Sequence, residues 1–141
     1  MRFWDTSAIV PILTDERHTQ RARRIISSDE GVAVWALTYV EASSALDRKR
    51  REREIDELQL DRARSALDVL ATYWVEVDEL HEVKGHALRF LRQYPLRAAD
   101  ALQLGAAWCY VDASPNRREF VVFDGPLVDA ARDLGFKVVT V

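Results

Sequence analysis

Met1-Arg2-Phe3-Trp4-Asp5-Thr6-Ser7 opens the chain as a short apolar run that reaches an aspartate, and Thr6 and Ser7 then lead into Ala8, Ile9 and Val10. Phe3 and Trp4 favour extended backbone. A strand that passes straight into a helix leaves its last residue at the carboxyl edge of a sheet. In open α/β folds that edge is where ligands and chemistry gather. The arrangement recurs near the other end, where Glu119-Phe120-Val121-Val122-Phe123 runs into Asp124 and Gly125-Pro126 opens a helix.

Between these landmarks strands and helices alternate. Strands are expected at 2–5, 32–35, 75–77, 119–123 and 136–141, and helices at 7–13, 18–28, 38–53, 56–73, 79–94, 97–111 and 125–135. Val32-Ala33-Val34-Trp35 is continuously apolar, as suits a strand buried on both faces. The strand at 75–77 is brief and expected at an edge. Pro11 lies about one turn into the first helix and should kink or shorten it. Residues 112–118, with Pro115 and Asn116, read as a loop. The alternation predicts an α/β fold, a small parallel sheet of about five strands flanked by helices on both faces, with right-handed crossovers. A chain of 141 residues is the size of one domain, so residues 1–141 are expected to form a single unit.

Composition narrows the function classes. Apolar residues make up 48% and charged residues 30%, the balance of a soluble globular protein. No apolar run approaches the roughly 20 residues that cross a bilayer, so no membrane partner is expected. The N-terminus shows no signal-peptide pattern. Cys109 is the only cysteine, so a reducing cytoplasm is the expected location. The net charge of −3 argues against a general nucleic-acid coat, yet 17 of the 20 basic residues are arginines and they cluster, above all in Arg48-Lys49-Arg50-Arg51-Glu52-Arg53. That run could hold phosphates or be a solvated helix face.

Four acidic residues stand out. Asp5 and Asp124 share an address, each following an apolar strand and preceding a helix; either could simply cap its helix. Glu41 closes Thr38-Tyr39-Val40-Glu41, a T-x-x-E capping box on its face. Asp100 is the most informative, because it sits in the first turn of an otherwise almost wholly apolar helix, where an unpaired buried carboxylate costs several kcal/mol. Arg97, three residues earlier on the same face, could pair with it. Magnitude favours a shared site: two carboxylates about 4 Å apart repel by about 4 kcal/mol at an effective dielectric of 20, which capping alone does not repay. Mg²⁺ or Mn²⁺ takes hard oxygen ligands and relieves such repulsion. His18, His81, His86 and Cys109 are not spaced as a zinc set. Five glycines leave no room for a phosphate-loop pattern, and Lys137 stands too early in its strand for a phosphoacceptor receiver.

Asp5-Thr6-Ser7-Ala8 after an apolar start, Glu41 in the third helix, Arg97-Ala98-Ala99-Asp100-Ala101-Leu102-Gln103-Leu104, and Phe123-Asp124 followed by Leu127 together resemble the PIN domain, and within it the VapC-type toxins of toxin–antitoxin pairs. The resemblance spans essentially the whole chain. It implies a metal-dependent endoribonuclease, inhibited by a cognate antitoxin and commonly dimeric. The family's acidic quartet falls on Asp5, Glu41, Asp100 and Asp124, as catalytic residues and as ligands of Mg²⁺ or Mn²⁺, with Ser7 in support. Gln103 stands where many relatives carry histidine and is not expected to touch the metal site. Arg97 and the run containing Arg48, Arg50 and Arg51 are the expected RNA-binding residues. Leu58, Leu67 and Leu70 are the expected apolar stripe of a homodimer, with antitoxin nearby. The rival readings are a nuclease for RNA processing or structured DNA, and a non-catalytic binding domain on the same fold.

Overall fold

The computed structural model describes residues 1–113 and 118–141. The chain runs β1 (Arg2–Trp4), α1 (Thr6–Leu13), α2 (Thr19–Ser27), β2 (Val32–Trp35), α3 (Thr38–Arg51), α4 (Glu57–Ala71), β3 (Val75–Val77), α5 (Leu80–Gln93), α6 (Ala98–Ala113), β4 (Glu119–Val121), α7 (Gly125–Asp133) and β5 (Lys137–Val139). The expected loop at 112–118 is shorter at its start. Asp112 and Ala113 continue α6, and Pro115 and Asn116 lie outside the described residues.

All five strands pair in parallel, in the order β3-β2-β1-β4-β5. Phe3 sits opposite both Ala33 and Phe120 in register, which makes β1 the centre of the sheet. Strand β2 is buried at all four residues, whereas β3 lies at an edge with Val75 and Glu76 exposed.

Alternation along β1 divides the interior. Phe3 joins Phe120, Trp35, Val83, Phe90, Leu104 and Leu127, the core under α5, α6 and α7. Trp4 joins Ile9, Leu46, Leu60, Leu67 and Val121, the core under α1, α3 and α4. Both rings are fully buried, and each contributes on the order of 2–3 kcal/mol by leaving water. Helix α6 packs tightly along α5, because Gly105 lets the backbones meet: a Cβ there would stand 2.8 Å from the carbonyl oxygen of Val83.

The chain leaves β1 on one side for β2 and β3, and returns on the other side as β4 and β5. The order therefore reverses between β1 and β4, where the carboxyl ends of two neighbouring strands open a crevice. Asp5 and Asp124 follow those two strands.

Candidate active site

Asp5 is 4% exposed and caps α1, its carboxylate accepting from the Ser7 amide at 2.9 Å. Its own amide donates to Val121 at 2.9 Å and so extends the β1–β4 ladder by one rung. Asp124 caps α7 through the Leu127 amide at 3.3 Å. Both capping readings are correct, and both residues also face the crevice. Ser7 ties the two ends together: its hydroxyl accepts from the Phe123 amide at 2.9 Å, while its own amide donates to the Asp5 carboxylate.

Glu41 is a correction. Helix α3 begins with Leu37 as N-cap and has no side-chain cap, so Thr38 is its first helical residue and the T-x-x-E box falls out of register. The Thr38 hydroxyl is fully buried and accepts from Gln103 instead. The true capping box lies at α4, where Asp56 and Gln59 bond each other's amides at 2.8 Å. Asp100 is half-buried in the first turn of α6, with the Arg97 amide donating to it at 3.4 Å. Its neighbourhood is less enclosed than the apolar sequence of α6 suggests, since Ala98 and Ala99 are exposed and burial begins at Ala101.

Gln103, one turn beyond Asp100, is the residue that the sequence underrated. Its side chain is buried, and its Nε2 lies 2.9 Å from Thr6 Oγ1, 3.1 Å from Thr38 Oγ1 and 3.1 Å from Glu41 Oε1. It touches the acidic site directly, contrary to expectation.

All four carboxylates line one open groove of about 920 Å³ together with Ser7, Arg48, Lys49 and Arg97. A smaller cavity of about 140 Å³, between the end of α6 and the α7–β5 turn, has Trp108, Val111, Leu134 and Phe136 in its wall and none of the four acids. The groove's electrostatics are unfavourable to its own charges. The Asp5 pKa rises from 3.8 to about 6, chiefly through burial and in smaller part through the Asp100 and Asp124 charges, against the lowering bonds from Ser7. Burial and the Asp5 charge raise Glu41 from 4.5 to about 7, with the bonds from Gln103 and Thr6 opposing. Asp100 is raised by burial and by Asp124, and lowered by Arg97.

The basic run divides. Arg48 and Lys49 reach the groove, but Lys49 is held by Glu16 at 3.1 Å and Glu54 at 3.2 Å. Arg50 pairs with Glu57 at 2.8 Å, and Arg51 is exposed away from the groove's lining. Arg97 lines the groove beside Asp100.

The model of the PIN domain matches residues 2–108 of this sequence. The chain belongs to the PIN domain family. This PIN domain also resembles a chain of a toxin–antitoxin complex from Klebsiella pneumoniae, with TM-score 0.64 and 16% identity over 99% of this chain and 97% of that one. A second structure is VapC20 of Mycobacterium tuberculosis, a sarcin–ricin loop cleaving toxin, with TM-score 0.66 and 19% identity over 96% of each chain. At these identities the likeness is one of fold. No curated protein matches the sequence.

The donor set of this PIN domain fits a hard divalent cation in its chemistry, being all oxygen and electrostatically short of positive charge. Among the described residues, no group of three or more carboxylate, imidazole or thiol side chains is already drawn together to hold a metal ion. Also among the described residues, no helix is long and apolar enough to cross a membrane.

Proposed function

We propose that this PIN domain, residues 1–141, is a divalent-metal-dependent endoribonuclease and the toxin of a type II toxin–antitoxin pair. The observation that carries the reading is the convergence of Asp5, Glu41, Asp100 and Asp124, from four separate elements, on one groove that also holds Arg48 and Arg97. A capping or ion-pairing role for each acid would not require that they share an address. The toxin and the toxin–antitoxin complex whose chains share this fold support the biological setting.

Asp5, Asp100 and Asp124, with Glu41 beside them, would hold Mg²⁺ or Mn²⁺. When bound, such an ion polarises a phosphodiester and lowers the pKa of a coordinated water. The protein's own residues do the rest. Ser7 fixes the Asp5 carboxylate. Arg48 and Arg97 bind substrate phosphates and set the strand along the groove. Glu41, poised to about 7, accepts a proton from the attacking water at its carboxylate. In-line attack leaves a 5′-phosphate and a 3′-hydroxyl.

The test is incubation of the purified protein with labelled tRNA, rRNA, mRNA and structured DNA, with EDTA and with restored Mg²⁺ or Mn²⁺. Cleavage of RNA that EDTA abolishes and metal restores is the expected result. Cleavage that survives thorough chelation defeats the reading, and cleavage confined to DNA replaces it. Co-expression with the product of an adjacent small gene should yield a complex without activity.

A homodimer is part of the same proposal, although its surface changes. Leu67 is buried in the protein's own core and Leu70 is partly covered, which leaves Leu58 of the expected stripe exposed. Leu80, Leu88 and Leu91 on α5 are exposed as well, on a face the sequence did not single out. Sedimentation at tens of micromolar should give twice the 16.2 kDa chain mass.

A further inference from the structure

We infer that Gln103 is a positioning residue of the groove, its buried carboxamide setting where the Glu41 carboxylate stands relative to Asp5 and Asp100. The inference rests on the ribonuclease reading above. Three observations carry it. First, the carboxamide reaches Thr6 on α1, Thr38 on α3 and Glu41 within 3.1 Å, so one side chain of α6 joins the first turns of two of the other helices that face the acids. Second, a primary amide has two N–H protons, and here three oxygens lie within reach of them. The Thr6 hydroxyl accepts from Gln103 and keeps its own proton available to donate. Third, the Gln103 amide oxygen is buried with no hydrogen-bond partner; among the described residues only the Trp35 indole nitrogen shares that condition. Burying a polar group unpaired is unfavourable. The fold accepts it at Gln103 to keep the donor end turned toward Glu41.

Asp100 and Gln103 are three residues apart on α6 and so lie on one face of that helix. Asp100 reaches the groove, and Gln103 stands behind it against Glu41. Moving α6 therefore moves Asp100 and the support of Glu41 together. A side chain of equal bulk without the N–H donors would remove the bond that holds the Glu41 carboxylate in place.

The experiment compares wild type with Gln103→Met, which keeps length and bulk but removes the donors, and with Gln103→His, which restores an N–H donor. Calorimetry with Mn²⁺ alone reads metal affinity, and steady-state RNA cleavage reads kcat and KM. Loss of a group that orients a ligand weakens affinity or activity by about 10–100-fold. The expected result is that loss in Mn²⁺ affinity and kcat for Gln103→Met, an unchanged KM, and recovery of most of both by Gln103→His. Gln103→Asn, which withdraws the carboxamide by one methylene, guards against a methionine variant that does not fold and should lose affinity in the same direction. Folded variants that melt lower but bind Mn²⁺ and cut RNA like wild type overturn the inference and leave the ribonuclease reading standing. A wild type that neither binds Mn²⁺ nor cuts RNA overturns the reading itself, and the inference falls with it.

Discussion

The Ser7 hydroxyl accepts a hydrogen bond from the Phe123 amide at 2.9 Å, which fastens the start of α1 to the chain one residue before Asp124. One small side chain thus sets the spacing of the two aspartates that follow neighbouring strands. Ser7→Ala should leave the Phe123 amide without its partner and cost about 1–3 kcal/mol. Thr at this position should keep most of that stability. Thermal melting measures the cost, and faster hydrogen exchange at the Phe123 amide would locate it.

Stability should fall as pH rises through the acidic range in metal-free buffer. Asp5 titrates from 3.8 unfolded to about 6 folded, and Glu41 from 4.5 to about 7. The folded protein therefore holds protons that the unfolded chain releases. The penalty is absent below the unfolded values, grows from about pH 4 to 7, and is complete above that window. For Asp5 it amounts to about 3 kcal/mol at about 1.4 kcal/mol per pKa unit. Denaturant melts at pH 4, 5.5 and 7 in EDTA check the slope. Excess Mg²⁺ at pH 7 should offset it, by about 2.7 kcal/mol at a hundred times Kd.

Asp100→Asn should raise the melting temperature in EDTA, since it removes a charge that Asp124 repels while asparagine still accepts from the Arg97 amide. Asp100 is half-exposed, so solvent screens the gain and it should be small. The same variant should gain less from Mg²⁺ than wild type and lose RNA cleavage. A lower melting temperature in EDTA, with the full gain from Mg²⁺, would make Asp100 a structural cap.

The arginines should separate by position. Arg48→Ala and Arg97→Ala, both in the groove, should each reduce the salt slope of RNA affinity by about 0.7. Arg50→Ala breaks a pair with Glu57 outside the groove lining and should leave the slope unchanged. Affinity measured from 50 to 300 mM salt decides, and an equal effect for all three would place the RNA along the whole tail of α3.

The order of elements was legible in the sequence because strands and helices differ in their apolar period, and the continuously apolar Val32-Ala33-Val34-Trp35 fitted a strand buried on both faces, as it is. Asp5 and Asp124 were legible for a related reason. A carboxylate between an apolar strand and a helix has its place set by local chain direction, and parallel pairing of β1 with β4 then brings the two together. Glu41 was found as a residue but misjudged in its local role, since helix α3 already starts at Thr38, the threonine that seemed to cap it, and its N-cap is Leu37. What tertiary structure alone decided is what meets across the chain. Gln103 lies 97 residues from Thr6 and 62 from Glu41, and nothing near it in sequence marks it as polar by necessity. Its burial, its partners and the division of the arginines into groove and surface depend on how α6 and α3 turn against the sheet. Close packing at Gly105 and the two cores fix that rotation, and a helix's own sequence fixes only which residues share a face.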